Sequence, residues 1–235
     1  MLPAELHKSL PVHPALWRGS DLAHTAGPCI ASGFHALDAA LPGGGWPVGA
    51  LTELLPAHEG IGELRVLGHA LATLAARGKQ LAWIAPPHQP YGPALAAAGI
   101  RPASIVIVRT RTARDTLWAA EQALASNACG AVLAWLPEAS FTLLRRLQLA
   151  AEAGRALALM FRDPRVASAT SPAVLRIALD TQDGGLALRL LKRRGAPLLK
   201  PILLPALPGH APHAVDRTAF QESAARSLFA QRVLA

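Results

Sequence analysis

The chain has 235 residues, of which 51% are hydrophobic and only 5% aromatic, which suits one large domain with tails and a core built mostly from Ala, Leu, Val and Ile. No apolar run approaches the ~20 residues of a membrane helix. The N-terminus, with Glu5, His7 and Lys8, carries no signal-like apolar stretch, and Cys29 and Cys129 form no metal or redox spacing, so a cytoplasmic protein without a bound metal is expected. The net charge of +8 is uneven: residues 1–100 hold five Lys/Arg against six Asp/Glu, and residues 101–235 hold eighteen against nine. The second half is therefore either a surface for an acidic partner such as nucleic acid or a solvated, Arg-rich face.

Residues 1–27 form an N-terminal segment punctuated by Pro3, Pro11 and Pro14. Short helices are expected at 3–10 and 13–18, with Leu6, Leu10, Leu16 and Trp17 able to dock on the core or on a partner. The core, 28–207, opens on a helical turn around Leu37, Asp38 and Leu41, broken by Pro42 and Gly43-Gly44-Gly45. Leu51–Leu55 reads as a strand. A phosphate-binding loop in this position needs glycines, a Lys for the β/γ-phosphates and a Ser or Thr for Mg²⁺. Here Gly60 is present, but Ile61 stands at the Lys position and Gly62 at the Ser/Thr position. The frame is that of a nucleotide site, and its chemistry is missing.

The next expected elements alternate. A helix over 63–77 carries Leu64, Leu67, Leu71 and Leu74 at helical spacing and stops at Gly78. Strands follow at 81–84, 105–108, 131–136 and 156–161, separated by helices at 91–99, 113–126 and 139–153. Continuous apolar strands alternating with helices predict a mainly parallel sheet covered on both faces. Residues 174–180 and 186–192 alternate with period two around the Asp183-Gly184-Gly185 turn, which predicts an antiparallel hairpin at the sheet edge. The hairpin ends in Lys192-Arg193-Arg194, and the 156–161 strand exits through Arg162 and Arg165. All five cations are candidate contacts to a partner or to DNA. An extended stretch with a last strand near 202–204 leads to a tail, 208–235. A helix over 214–235 carrying Phe220, Leu228, Phe229 and Leu234 would dock on a partner or pack back on its own domain.

The pattern Ser32-Gly33, Leu37-Asp38, Leu41, Gly43-Gly44-Gly45, Pro47-Val48-Gly49 and Glu53, followed by a loop and Leu64, resembles the RecA-type ATPase core. The stretch Trp46–Glu53 with its missing Lys looks most like the ImuA family, the RecA-like accessory proteins of bacterial mutagenic translesion synthesis. The resemblance covers about residues 28–207 and implies a RecA-like fold with a degenerate phosphate loop. It puts Pro87, followed by His88, at the catalytic acid position and Trp135 at the Mg²⁺-ordering one, so no cofactor and no catalysis are expected. It further implies a scaffold in the damage-induced (SOS) response with an ImuB-like protein, an error-prone DnaE-type polymerase and RecA as partners. Lys192 and Arg194 match the strand end from which RecA reaches its neighbour's nucleotide. The segments matching RecA's DNA-binding loops are reduced to 137–140 and 164–173. A working ATPase with an unusual loop is one rival to this reading, opposed by Ile61 at the lysine position, and two more stand beside it. One is a cell-division inhibitor similar to SulA, with a RecA-like fold and no phosphate loop, acting on the division GTPase. The other is a basic DNA-binding module.

Overall fold

The computed structural model describes residues 27–205. The expected N-terminal helices and the tail residues Phe220, Leu228, Phe229 and Leu234 lie outside the described residues.

A small antiparallel pair, β1 (Cys29–Ile30) and β2 (Trp46–Pro47), brackets a short helix, α1 (His35–Ala40). Gly45 permits this close pairing, because a Cβ there would lie 2.3 Å from the Ile30 carbonyl oxygen. The main elements follow as β3 (Ala50–Pro56), α2 (Gly68–Ala76), β4 (Gln80–Ile84), α3 (Gly92–Ala97), β5 (Ile105–Val108), α4 (Ala113–Ala125), β6 (Cys129–Trp135), α5 (Phe141–Gly154), β7 (Leu157–Phe161), β8 (Leu175–Gln182), β9 (Gly185–Lys192) and β10 (Ile202–Leu204). They build an eight-stranded sheet in the order β10-β9-β8-β3-β7-β6-β4-β5. The six strands from β8 to β5 pair parallel, and β9 and β10 add antiparallel at one edge.

The period of two along each strand sorts the core into two layers. Leu54, Trp83, Leu133, Phe161, Ile177 and Leu188 face α2, which contributes Ala70, Leu71 and Leu74. Leu51, Ile84, Val132, Ala158 and Met160 face α4 and α5, which contribute Leu117, Leu124, Leu144 and Leu147. The two outer helices touch closely at their C-terminal ends: a Cβ on Gly154 would lie 1.7 Å from the Leu124 carbonyl oxygen, so only glycine fits there. β3 is central, with β7 and β8 as its parallel neighbours. The connection through α2 leaves it for β4, across the intervening β7 and β6. Such a point in a parallel sheet is where ligands bind, outside the carboxyl ends of the strands.

Candidate functional site

The loop after β3, 57–64, occupies that place. Gly60 and Gly62 both have positive φ (78° and 94°), so the backbone is bent as a glycine loop allows. The loop's groups are engaged within the protein. The Gly60 N–H donates to Glu63 Oε1 at 3.3 Å, so the loop's own carboxylate takes a donor that an anion would need. The other Glu63 oxygen is buried without a hydrogen-bond partner. Ile61 and Leu64 pack on the apolar layer below.

Beneath the loop, the ends of three neighbouring strands carry an aromatic ladder. Trp135 of β6 stacks on Phe161 of β7 at 4.5 Å between ring centroids and 10° between planes, and meets Trp83 of β4 at 5.9 Å and 44°. Trp83 and Phe161 are buried and Trp135 is half-buried. Pro87 lies in the turn after β4, and its neighbour His88 reaches across to the loop, with Nε2 3.0 Å from Glu59 Oε2. The residues marked by sequence as a nucleotide site, Gly60, Ile61, Gly62, Pro87 and Trp135, thus all fall at the carboxyl ends of the central strands.

On the opposite face of β3 lies a feature that sequence reading missed. Glu53 is fully buried. Its Oε2 accepts from Arg176 Nε at 2.6 Å, and its Oε1 accepts from Ser171 Oγ at 2.8 Å. Arg162 Nη1 stands 3.6 Å from Oε1. The rest of the Arg176 guanidinium donates to the carbonyls of Val166, Ala167 and Ala169 at 2.8–3.0 Å. One buried carboxylate therefore anchors two guanidiniums, and one of these pins the segment 164–173 to the sheet. The only sequence signal was an acid inside the apolar run Leu51–Leu55 and an arginine inside the alternating strand 174–180.

This geometry corrects the expectation that Arg162 contacts a partner or DNA. Its side chain is only 4% exposed. Burial pushes its pKa down, the nearby Glu53 raises it, and Arg176 lowers it. It donates to the Ala139 carbonyl at 3.0 Å and serves the interior. Arg165 does reach solvent, with 80% of its side chain exposed. It is held in a fork on Asp163 at 2.9 and 2.6 Å, and that contact draws the Asp163 carboxyl down to about 2.

The basic hairpin end lies at the amino ends of the parallel strands, since β9 runs antiparallel to β8. Its three cations do not project together. Lys192 donates to the Ser171 carbonyl at 2.8 Å. Arg193 donates to the carbonyls of Ala196, at 2.8 Å, and Ala40. Arg194 is exposed and makes no hydrogen bond or ion pair among the described residues. Arg193 and Arg194 border a cleft of about 240 Å³ whose walls include Pro28, Pro42, Pro47, Val48 and Gln148.

Fold and site together define an α/β protein with a mostly parallel sheet and a glycine loop closed on its own carboxylate. No family model matches the chain. It is 32% identical over 104 residues to the cell division inhibitor SulA of Edwardsiella piscicida, covering 43% of this chain and 62% of that protein. It is 30% identical over 133 residues to ImuA of Caulobacter vibrioides, covering 54% of each. The solved structure of SulA from Pseudomonas aeruginosa matches 47% of this chain and 96% of that one, at 25% identity and a TM-score of 0.41. The chain is thus similar in sequence to both ImuA and SulA, and it spans between half and two thirds of the length of these curated relatives. Among the described residues no helix is long and apolar enough to cross a membrane.

Proposed function

We propose that this chain is a non-catalytic, RecA-like accessory protein of damage-induced mutagenic translesion synthesis. It acts as a scaffold beside an ImuB-like protein, an error-prone DnaE-type polymerase and RecA. The observation that carries the reading is the filled strand end. Nucleotide hydrolysis requires a cation and Mg²⁺ to neutralise the phosphates, and a group to position the attacking water. At the matching places stand Ile61, Gly62, Trp135 and Pro87, and Glu63 occupies the Gly60 amide. A phosphate brought here would meet a carboxylate and aromatic rings.

A protein of this shape keeps its surfaces and loses its engine, so its work is binding. The free guanidinium of Arg194 beside the proline-walled cleft offers a contact for an acidic group of a partner. The similarity to SulA supports a second reading, an inhibitor of cell division acting on the division GTPase, over a comparable length of chain. Co-purification of the tagged full chain from DNA-damaged cells separates the two. The ImuB-like protein is the expected companion. Recovery of the division GTPase without it would replace the scaffold reading by the inhibitor one.

A further inference from the structure

The outer ridge of α4 carries a combination of groups that neither the strand-end loop nor the hairpin edge uses. Trp118 is 63% exposed, although a tryptophan is normally well buried. Arg114 lies one helical turn before it, about 5.4 Å along the axis, and Arg111 stands just ahead of the N-cap Thr112. Both are exposed, and neither has an internal hydrogen bond or ion pair among the described residues. α5 adds Arg146, which reaches Glu121 of α4 at 2.5 Å and so borders the same ridge one turn after Trp118. The acids near the ring are Asp115 and Glu121, and Arg146 already neutralises Glu121. The balance is positive, with the ring in the middle of it.

We propose that this ridge is a binding surface for single-stranded nucleic acid, with Trp118 stacking on a base and Arg111 and Arg114 taking backbone phosphates. An exposed ring flanked by cations that nothing among the described residues pairs is the arrangement that tracks an unpaired strand: every base offers a face to stack on, and the charges follow the backbone. A duplex hides its base faces and meets only the charges. The surface lies away from the glycine loop, so the inference goes beyond the scaffold reading and stands whichever protein partner is right.

Fluorescence anisotropy of a labelled oligothymidylate with the full chain tests it. Binding is expected at about 50 mM salt, and two phosphate contacts should make it fall with a log–log salt slope of roughly −1.4. Trp118→Ala should weaken it roughly fivefold to a hundredfold, as loss of one stacked base does. Trp118→Phe should restore most of it. Arg111→Glu with Arg114→Glu should weaken binding and flatten the slope. Duplex DNA should bind more weakly and be indifferent to Trp118→Ala. Since these side chains are exposed, unchanged melting temperatures will confirm that the variants fold. Absence of binding at low salt, binding unmoved by Trp118→Ala, or capture only of an acidic protein through these residues would each overturn the proposal.

Discussion

Replacing Glu53 by Gln leaves Arg162 and Arg176 with no carboxylate in the interior, and two guanidiniums then repel each other across a dry gap. Breaking a buried ion pair from one side costs about 3–5 kcal/mol, far more than the pair contributes relative to an apolar replacement. Glu53→Gln is therefore expected to lower the free energy of unfolding by that amount, read as a lower urea midpoint at constant m-value, and to release the 164–173 segment to proteolysis. At the surface, Asp163 obeys a different logic. Its carboxyl is drawn down from 3.8 to about 2, chiefly by the hydrogen bond from Arg165. A carboxylate whose folded value is depressed favours the fold above its unfolded value. That contribution fades as pH falls from about 3.8 through about 2. Titration followed by carboxyl NMR should find Asp163 near 2, and Arg165→Ala should return it toward 3.8. The two arginines of the Lys192–Arg194 run should also part company. Arg193→Ala removes donors to two backbone carbonyls and should destabilise the fold. Arg194→Glu should leave the stability unchanged within ~0.5 kcal/mol while weakening the binding of an acidic partner.

The elements were largely legible in the sequence because their signals were local. The strand at Ile105–Val108 and the last strand at Ile202–Leu204 fall where expected, as four and three consecutive apolar residues bounded by breakers. The helix expected over 63–77 is instead a 3₁₀ turn, Arg65–Leu67, running into α2. Gly68 starts the α-helix in a sequence with no capping side chain before it. The hairpin was foreseen from its alternation and its Asp-Gly-Gly turn. That β10 would close the same edge was visible only as a short apolar run. What could not be read locally was contact between elements distant in the chain: Glu53 with Arg176 is 123 residues apart, and the Trp83–Trp135–Phe161 ladder joins three strands. Trp83 and Phe161 look like ordinary strand residues, and Trp135 is marked in the sequence only as standing where a Mg²⁺-ordering acid would be. Their meeting is set by the strand order, which places β6 between β4 and β7. Trp135→Ala should therefore open a cavity costing about 3–5 kcal/mol, measurable as a lower urea midpoint with loss of near-UV dichroism. A surface tryptophan at that position would leave both almost unchanged.

At the scale of the molecule, the sheet separates two ends with different chemistry. The carboxyl ends of β3, β4, β6 and β7 hold the glycine loop, Glu63, the Glu59–His88 contact and the aromatic ladder. The amino ends hold the cleft bordered by Arg193 and Arg194. The uneven charge that pointed to an acidic partner resolves on the structure into distinct uses. Arg162 and Arg176 are spent on Glu53, Arg165 on Asp163 and Arg146 on Glu121, whereas Arg111, Arg114, Arg145 and Arg194 remain turned to solvent. A count of charges alone could not make that division, since it depends on which side of a strand each residue falls.

The central claim is that the loop after β3 is a nucleotide frame filled by protein. Isothermal titration calorimetry of the full chain with MgATP tests it most directly, on a protein whose folding is checked by its melting transition. The account predicts no heat of binding and no change in that transition. A micromolar dissociation constant, about 8 kcal/mol of binding free energy, together with a raised melting temperature, would contradict it.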